Sequence, residues 1–450
     1  MRWKNILATG CLAAVSAVAA QDTRKVSEPA FPAVVCSKLS AQLHGGQGGL
    51  AEGDEGKLDT FRIQKAMDDC AAGQALELAP AADHNAFLTG PLELRKGVTL
   101  LVDKGVTLYG SRDPKLYELS NGSCGVVNNE SRGCKPLIHA KDAAGAGIMG
   151  DGTIDGRGAS KLLGGGRSWW DLANDKGNAR QQVPRLIEVE KSNDFTVYRI
   201  TLKNSANFHF VYSGGDGLTV WGLIIDTPVF AKNTDGFDPG SSKNITITHS
   251  YIRDGDDNIA IKGGNGPVTN MSVIHNHFYW GHGMSIGSET NAGVNHVLVE
   301  DLSLDGTESG IRIKSNSTRG GLVEDITYRD VCIHNSKNPI SLSTDYFLPG
   351  SKVDSLPVFR NIVLQNVRVL AGKNINLEGY DHTHRIGIQF DGVTLDNPTG
   401  YKFKVNHTDI IFGPGPVNFT VPGEDSTARG KPVMGSLPSC AEKLVPFPVK

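Results

Sequence analysis

Apolar residues in the second half of the chain recur at positions x, x+2, x+5 and x+7 of a unit that appears eight times. The sets are Phe195/Val197/Ile200/Leu202, Leu218/Val220/Leu223/Ile225, Ile245/Ile247/Ser250/Ile252, Met271/Val273/Asn276/Phe278, Val297/Val299/Leu302/Leu304, Ile326/Tyr328/Val331/Ile333, Ile362/Leu364/Val367/Val369 and Ile388/Phe390/Val393/Leu395. Ser250 and Asn276 are the polar exceptions, and successive starts lie 23, 27, 26, 26, 29, 36 and 26 residues apart. A two-residue period that shifts phase once is what two short strands joined by a bend produce when both turn apolar side chains inward. One unit cannot bury that face alone, so repetition means stacking. A leucine-rich horseshoe would need a helical half, which is absent, and a propeller blade would need four strands in each repeat. Sandwich strands do not hold one internal phase over eight units. The pattern therefore predicts an all-β chain coiled as a parallel β-helix.

Ahead of these units, alternating pairs such as Val98/Leu100 and Val106/Leu108 already read as strands. One earlier segment reads differently: Ile63, Ala66, Met67 and Cys70 form a single stripe at helical spacing after Thr60, the expected N-cap. This predicts a short helix capping the N-terminal end of the solenoid. A basic Met1–Asn5 followed by the apolar run from Ile6 to Ala20 has the form of a secretory signal peptide, cleaved after Ala19 or Ala20. Residues 21–450 are then expected to form one domain, because a solenoid grows without splitting.

Export changes the reading of the cysteines. Cys11 falls within the leader, and six remain. Cys124 and Cys134 are close enough to clip a local loop, and Cys36 and Cys70 flank the capping helix, so these two pairs are expected disulfides. Cys332 and Cys440 are left as either a third bridge or two free thiols. The 450 residues carry a formal net charge of −3, and loss of Arg2 and Lys4 with the leader makes it about −5, which argues against nucleic acid as a partner. The leader is too short to span a bilayer comfortably, so no membrane partner is expected either.

Most units carry a further alternating run 12 or 13 residues after x, including Asp257-Asn258-Ile259-Ala260-Ile261-Lys262, Gly283-Met284-Ser285-Ile286 and Gly310-Ile311-Arg312-Ile313-Lys314. In a solenoid these runs become adjacent strands about 4.8 Å apart. Counted from x, Asp256 and His282 fall at +11, Asp257 at +12, Arg312 at +15, and Asp235 and Lys314 at +17, which predicts one outward patch. Alone, Gly255-Asp256-Asp257-Asn258 would pass for a tight turn, and Arg312 and Lys314 for the solvated face of a strand. Three carboxylates, an imidazole and two cations gathered from four successive coils point instead to a cleft.

Asn233-Thr234-Asp235, Gly255-Asp256-Asp257, Gly281-His282-Gly283 and Arg312-Ile313-Lys314 resemble, in order, the four signature segments of glycoside hydrolase family 28, the polygalacturonases. The similarity runs from about Cys36 to Val369 and looks most like the secreted bacterial endo-polygalacturonases. It implies a right-handed parallel β-helix and a secreted, monomeric enzyme acting on polygalacturonate, with neither metal nor cofactor expected. It also implies that Asp256 is the general acid, that Asp235 and Asp257 activate water, and that His282 tunes the acid. Arg312 and Lys314 would hold the uronic carboxylate and Tyr346 would pack on sugar. Many relatives have Cys where Asn258 stands, a departure that bears on a local disulfide.

The chemistry agrees with those roles. Inverting glycoside hydrolysis needs a protonated carboxyl at the leaving oxygen and an ionised carboxylate across the sugar with water between. Crowded aspartates raise the proton affinity of at least one, and Arg matches a carboxylate with its planar fork. Exo action, a rhamnogalacturonan hydrolase, a calcium-dependent pectate lyase and a non-catalytic carbohydrate-binding solenoid are the alternatives.

Overall fold

The computed structural model describes residues 21–46, 48–129, 133–175, 177, 179–346, 355–421, 423 and 425–449. The expected leader lies outside them. The chain winds as a parallel β-helix. Among the described residues, one sheet of 21 strands and one of 11 run the length of the stack. All pairings in those two sheets that link successive coils are parallel, as in Leu218↔Ile245↔Met271↔Val297.

The cause of the sequence period is visible in the backbone. Every residue at x+4 has a positive φ: Arg199, Gly222, His249, His275, Asp301, Asp330, Asn366 and Gly392 lie between +50° and +78°. One left-handed residue turns the strand and moves the inward positions from x+2 to x+5. Most of these sites are Asn, Asp, His or Gly, the types that tolerate that region at least cost. All the repeat's apolar inward side chains are buried, and they join one hydrophobic cluster that extends from Ala41 to Phe419. Ser250 and Asn276 are buried too, because they bond to each other's surroundings: Asn276 Oδ1 accepts from Ser250 N at 2.9 Å, and its Nδ2 donates to the Ile247 and Ile274 carbonyls at 3.0 Å. A buried amide is tolerated when its donors and acceptors are matched.

The capping helix spans Thr60–Asp68, with Ile63 and Met67 facing the core. Its start differs from expectation: Thr60 is the first helical residue and Asp59 occupies the cap. Neither side chain caps the helix. Asp59 instead accepts from Leu88 N at 2.9 Å and from Arg62, and Thr60 Oγ1 accepts from Gly90 N at 2.8 Å, tying the helix to the first coils. A second short helix, Trp169–Asp175, escaped the sequence reading, since its Trp-Trp start carries no extended apolar stripe. Disulfides join Cys36 to Cys70 and Cys124 to Cys134, and a third joins Cys332 to Cys440, holding the C-terminal segment against the stack.

Candidate active site

The 11-stranded sheet carries the site on strands Phe237–Gly240, Ile259–Ile261, Met284–Ile286 and Ser309–Lys314. Their inward residues Phe237, Ile259, Met284 and Ile311 stack in register, leaving alternate side chains to face out. The signature segments hold one another. Gly255 N donates to Thr234 Oγ1 at 3.0 Å, and Gly283 N donates to Asn258 Oδ1 at 3.0 Å. Gly255 must be glycine, because a Cβ there would lie 2.0 Å from the Ala231 carbonyl oxygen. Asn258, in place of a cysteine, also donates to Asp254 Oδ2 and the Trp280 carbonyl, so its amide holds this turn through hydrogen bonds.

All six polar residues of the expected patch come together, with two corrections of register: Asp256 and His282, level by offset, stand three residues before Ile259 and two before Met284. The offset count also set Asp235 and Lys314 level. In the structure Asp235 lies two residues before Phe237, whereas Lys314 lies three after Ile311, and Phe237 and Ile311 share one column. The arc into this sheet is longer in the Asp235 coil, from Asp226 to Phe237, than in the next, from Arg253 to Ile259, so equal offsets do not mean equal height.

Asp257 is buried and fully engaged: Lys314 Nζ donates to Oδ2 at 2.6 Å, while Arg312 Nη1 and Ser285 Oγ donate to Oδ1 at 3.1 and 2.7 Å. Burial favours its neutral form, but Lys314, Arg312 and Lys262 outweigh burial and hold it well below the usual carboxylate range. Asp256 accepts from Asn233 Nδ2 at 3.4 Å and lies 3.1 Å from His282 Nδ1. Burial pushes its carboxyl up, yet the His282 hydrogen bond helps bring it below its ordinary value. Burial lowers His282 in turn, but Asp256 and Asp257 lift it above 6.5. Its Nε2 is 3.2 Å from Glu308 Oε2.

Asp235 is the opposite case. Burial, then the negative charges of Asp256 and Asp238, hold it well above the carboxylate range, with Lys262 Nζ 4.0 Å away as partial relief. Proton affinity is thus lowered at Asp257 and Asp256, raised at Asp235, and raised at His282 beside Asp256. Tyr346 caps the cations, its ring centre 5.6 Å from the Arg312 guanidinium carbon and 5.3 Å from Lys314 Nζ.

Several participants were missed in the sequence. Lys262 bridges Asp235, Asp238 and Glu289. Its signal was the final position of the run Asp257–Lys262, level with Lys314 two coils further on. Asp254 accepts from Asp256 N at 3.0 Å and orients the turn. His209, which burial pushes down to about 4, is a neutral ring facing the Thr234 and Asp235 carbonyls beneath the cleft. Asp256, Asp257 and His282 have spacing that could hold a metal ion, but Lys314 and Arg312 already occupy both oxygens of Asp257.

A parallel β-helix bearing crowded carboxylates of opposed proton affinity has the equipment of a glycoside hydrolase. Residues 78–410 match the model of glycosyl hydrolases family 28, and the chain belongs to that family. It is 41% identical to a protein of Pectobacterium carotovorum subsp. carotovorum named endo-polygalacturonase, over 88% of this chain and 96% of that one. A polygalacturonase of Ralstonia solanacearum is 38% identical, with 94% of this chain and 92% of that one covered. The solved structure of a polygalacturonase from Erwinia carotovora ssp. carotovora superposes with a TM-score of 0.80 at 40% identity, covering 87% of this chain and all of that one.

Proposed function

We propose that residues 21–450 form one secreted, monomeric endo-polygalacturonase that hydrolyses the α-1,4 galacturonosyl linkages of polygalacturonate by single displacement. The carrying observation is the joining of two functions in one cluster: Asp235, Asp256 and Asp257 lie beside Arg312 and Lys314, so acid–base groups and carboxylate-binding cations share one cleft. The identity to proteins named polygalacturonase and endo-polygalacturonase supports the substrate and the endo mode. Three disulfides suit an oxidising, extracellular setting.

In this reading Asp256 delivers to the leaving oxygen the proton it shares with His282 Nδ1, and Asp235 and Asp257 activate the attacking water. Arg312 and Lys314 bind the carboxylate of the sugar, and Tyr346 packs on its ring. Water attacks from the face opposite the leaving group, so the first-formed product should carry the inverted anomeric configuration. NMR of the product before mutarotation tests this; retention of configuration overturns the water-activating roles of Asp235 and Asp257.

The pH profile follows from the same groups. Asp235 must lose its proton before it can accept one from water, and its raised affinity moves the acidic limb of kcat/KM above the ordinary carboxylate range. Loss of the proton shared by Asp256 and His282 sets the alkaline limb, which the raised proton affinity of His282 moves upward. Activity should therefore peak at mildly acidic pH, and His282→Asn should move the alkaline limb to lower pH. An alkaline limb unchanged in that variant would remove His282 from the acid.

A further inference from the structure

We propose that His382, His407 and Asp425 form a site for one divalent transition-metal ion of the zinc type, which staples the final strand of the solenoid to the coils before it. The backbone brings these residues to one corner. Ile386, Thr408 and Ser426 pair in parallel register as the first residues of three successive strands. The residues just before them, Arg385, His407 and Asp425, therefore stack on consecutive rungs, and His382 enters from the turn preceding Arg385.

Their donor atoms converge. His382 Nδ1 lies 3.2 Å from Asp425 Oδ2, His407 Nδ1 faces that same oxygen, and one ligand atom from each of the three falls within 4.8 Å of the others. Zinc bonds of about 2.0–2.1 Å in tetrahedral geometry would set ligand atoms roughly 3.3 Å apart, close to the separation of His382 Nδ1 and Asp425 Oδ2. His407 Nδ1 and Asp425 Oδ2 are shielded from solvent and face each other, with His382 Nδ1 turned to the same oxygen. A shared cation would satisfy both at once.

The outer partner is also present. Arg385 Nη1 donates to Asp425 Oδ1 at 3.1 Å and its Nε donates to Asp409 Oδ1 at 2.7 Å, which leaves Oδ2 turned toward the imidazoles. Second-layer contacts of this kind orient a metal-binding carboxylate. Two imidazoles and one carboxylate suit Zn²⁺, Cu²⁺ or Ni²⁺, whereas Ca²⁺ and Mg²⁺ require sets of oxygens. The staple has a structural use: strand Ser426–Arg429 is almost wholly exposed and pairs only with Thr408–Phe412 among the described residues. A terminal coil needs such a restraint more than an internal one.

The test uses the untagged mature chain, stripped with chelator, dialysed and titrated with Zn²⁺ by calorimetry alongside thermal unfolding. Wild type should bind one equivalent saturably and rise in Tm with Zn²⁺. His382→Ala should weaken binding by about 100-fold or more and abolish the Tm rise. His382 is 81% exposed, so this variant should fold normally. His282→Ala should keep wild-type zinc affinity. Equal affinity in wild type and His382→Ala, absence of saturable binding, or loss of binding in His282→Ala would each overturn the site, the last by placing the ion in the catalytic cleft.

Discussion

Asp256→Asn is expected to preserve the β-helix and lower turnover on polygalacturonate by at least ~10²-fold, the lower range for loss of a general acid. An amide oxygen can still accept from Asp257 N, which bonds to Asp256 Oδ1 at 3.0 Å, so the turn has no cause to collapse. What disappears is the carboxyl that shares a proton with His282. Two further shifts follow in sign: His282 loses its principal upward influence and titrates lower, and Asp235 loses a neighbouring charge that holds it up. Reducing-end release with circular dichroism as a folding control measures the first effect. Near wild-type turnover in a folded variant would falsify the assignment of Asp256 as acid.

The fold was legible where side-chain type and backbone geometry reinforce each other. The x, x+2, x+5, x+7 pattern predicted the coils because the left-handed residue at x+4 forces the same phase shift in each, from Arg199 to Gly392. Leu76, Leu100 and Ile148 occupy the same inward column at the N-terminal end, but they lacked the complete four-position signature. The helix Trp169–Asp175 was invisible for a related reason, since seven residues span too few turns to establish a period.

The site was legible as a set of residues and less so as a set of charges. Motif order brought Asp235, Asp256, Asp257, His282, Arg312 and Lys314 together, but offset counting misplaced Asp235 relative to Lys314 because the intervening arcs vary in length. Crowding alone predicted that one aspartate would gain proton affinity and could not say which. The answer depends on partners from other coils: Lys314 and Arg312 reach Asp257, His282 reaches Asp256, and Asp235 has the more distant Lys262. No local stretch of sequence contains those pairings.

Lys314→Ala should lower activity on every substrate, and lower it further on de-esterified polygalacturonate than on methyl-esterified pectin. Two effects separate here. Lys314 is 7% exposed and its ammonium is 2.6 Å from Asp257 Oδ2, so its loss leaves a buried carboxylate with only Arg312 and Ser285. Breaking a buried pair costs about 3–5 kcal/mol, less where a second cation remains. Asp257 has a depressed native affinity, so its contribution to stability is present above its unfolded value of about 3.9 and is lost as pH falls toward the native value. The variant's Tm deficit should accordingly be largest near neutrality and shrink in acid. The second effect belongs to the substrate: a uronic carboxylate loses a charged hydrogen bond worth roughly 1.5–3 kcal/mol, whereas an ester had little to lose. That difference corresponds to about tenfold or more in rate. Initial rates on pectins of graded esterification, with Tm measured across pH, separate the two. An identical factor on every pectin would confine Lys314 to holding Asp257 and remove it from carboxylate recognition.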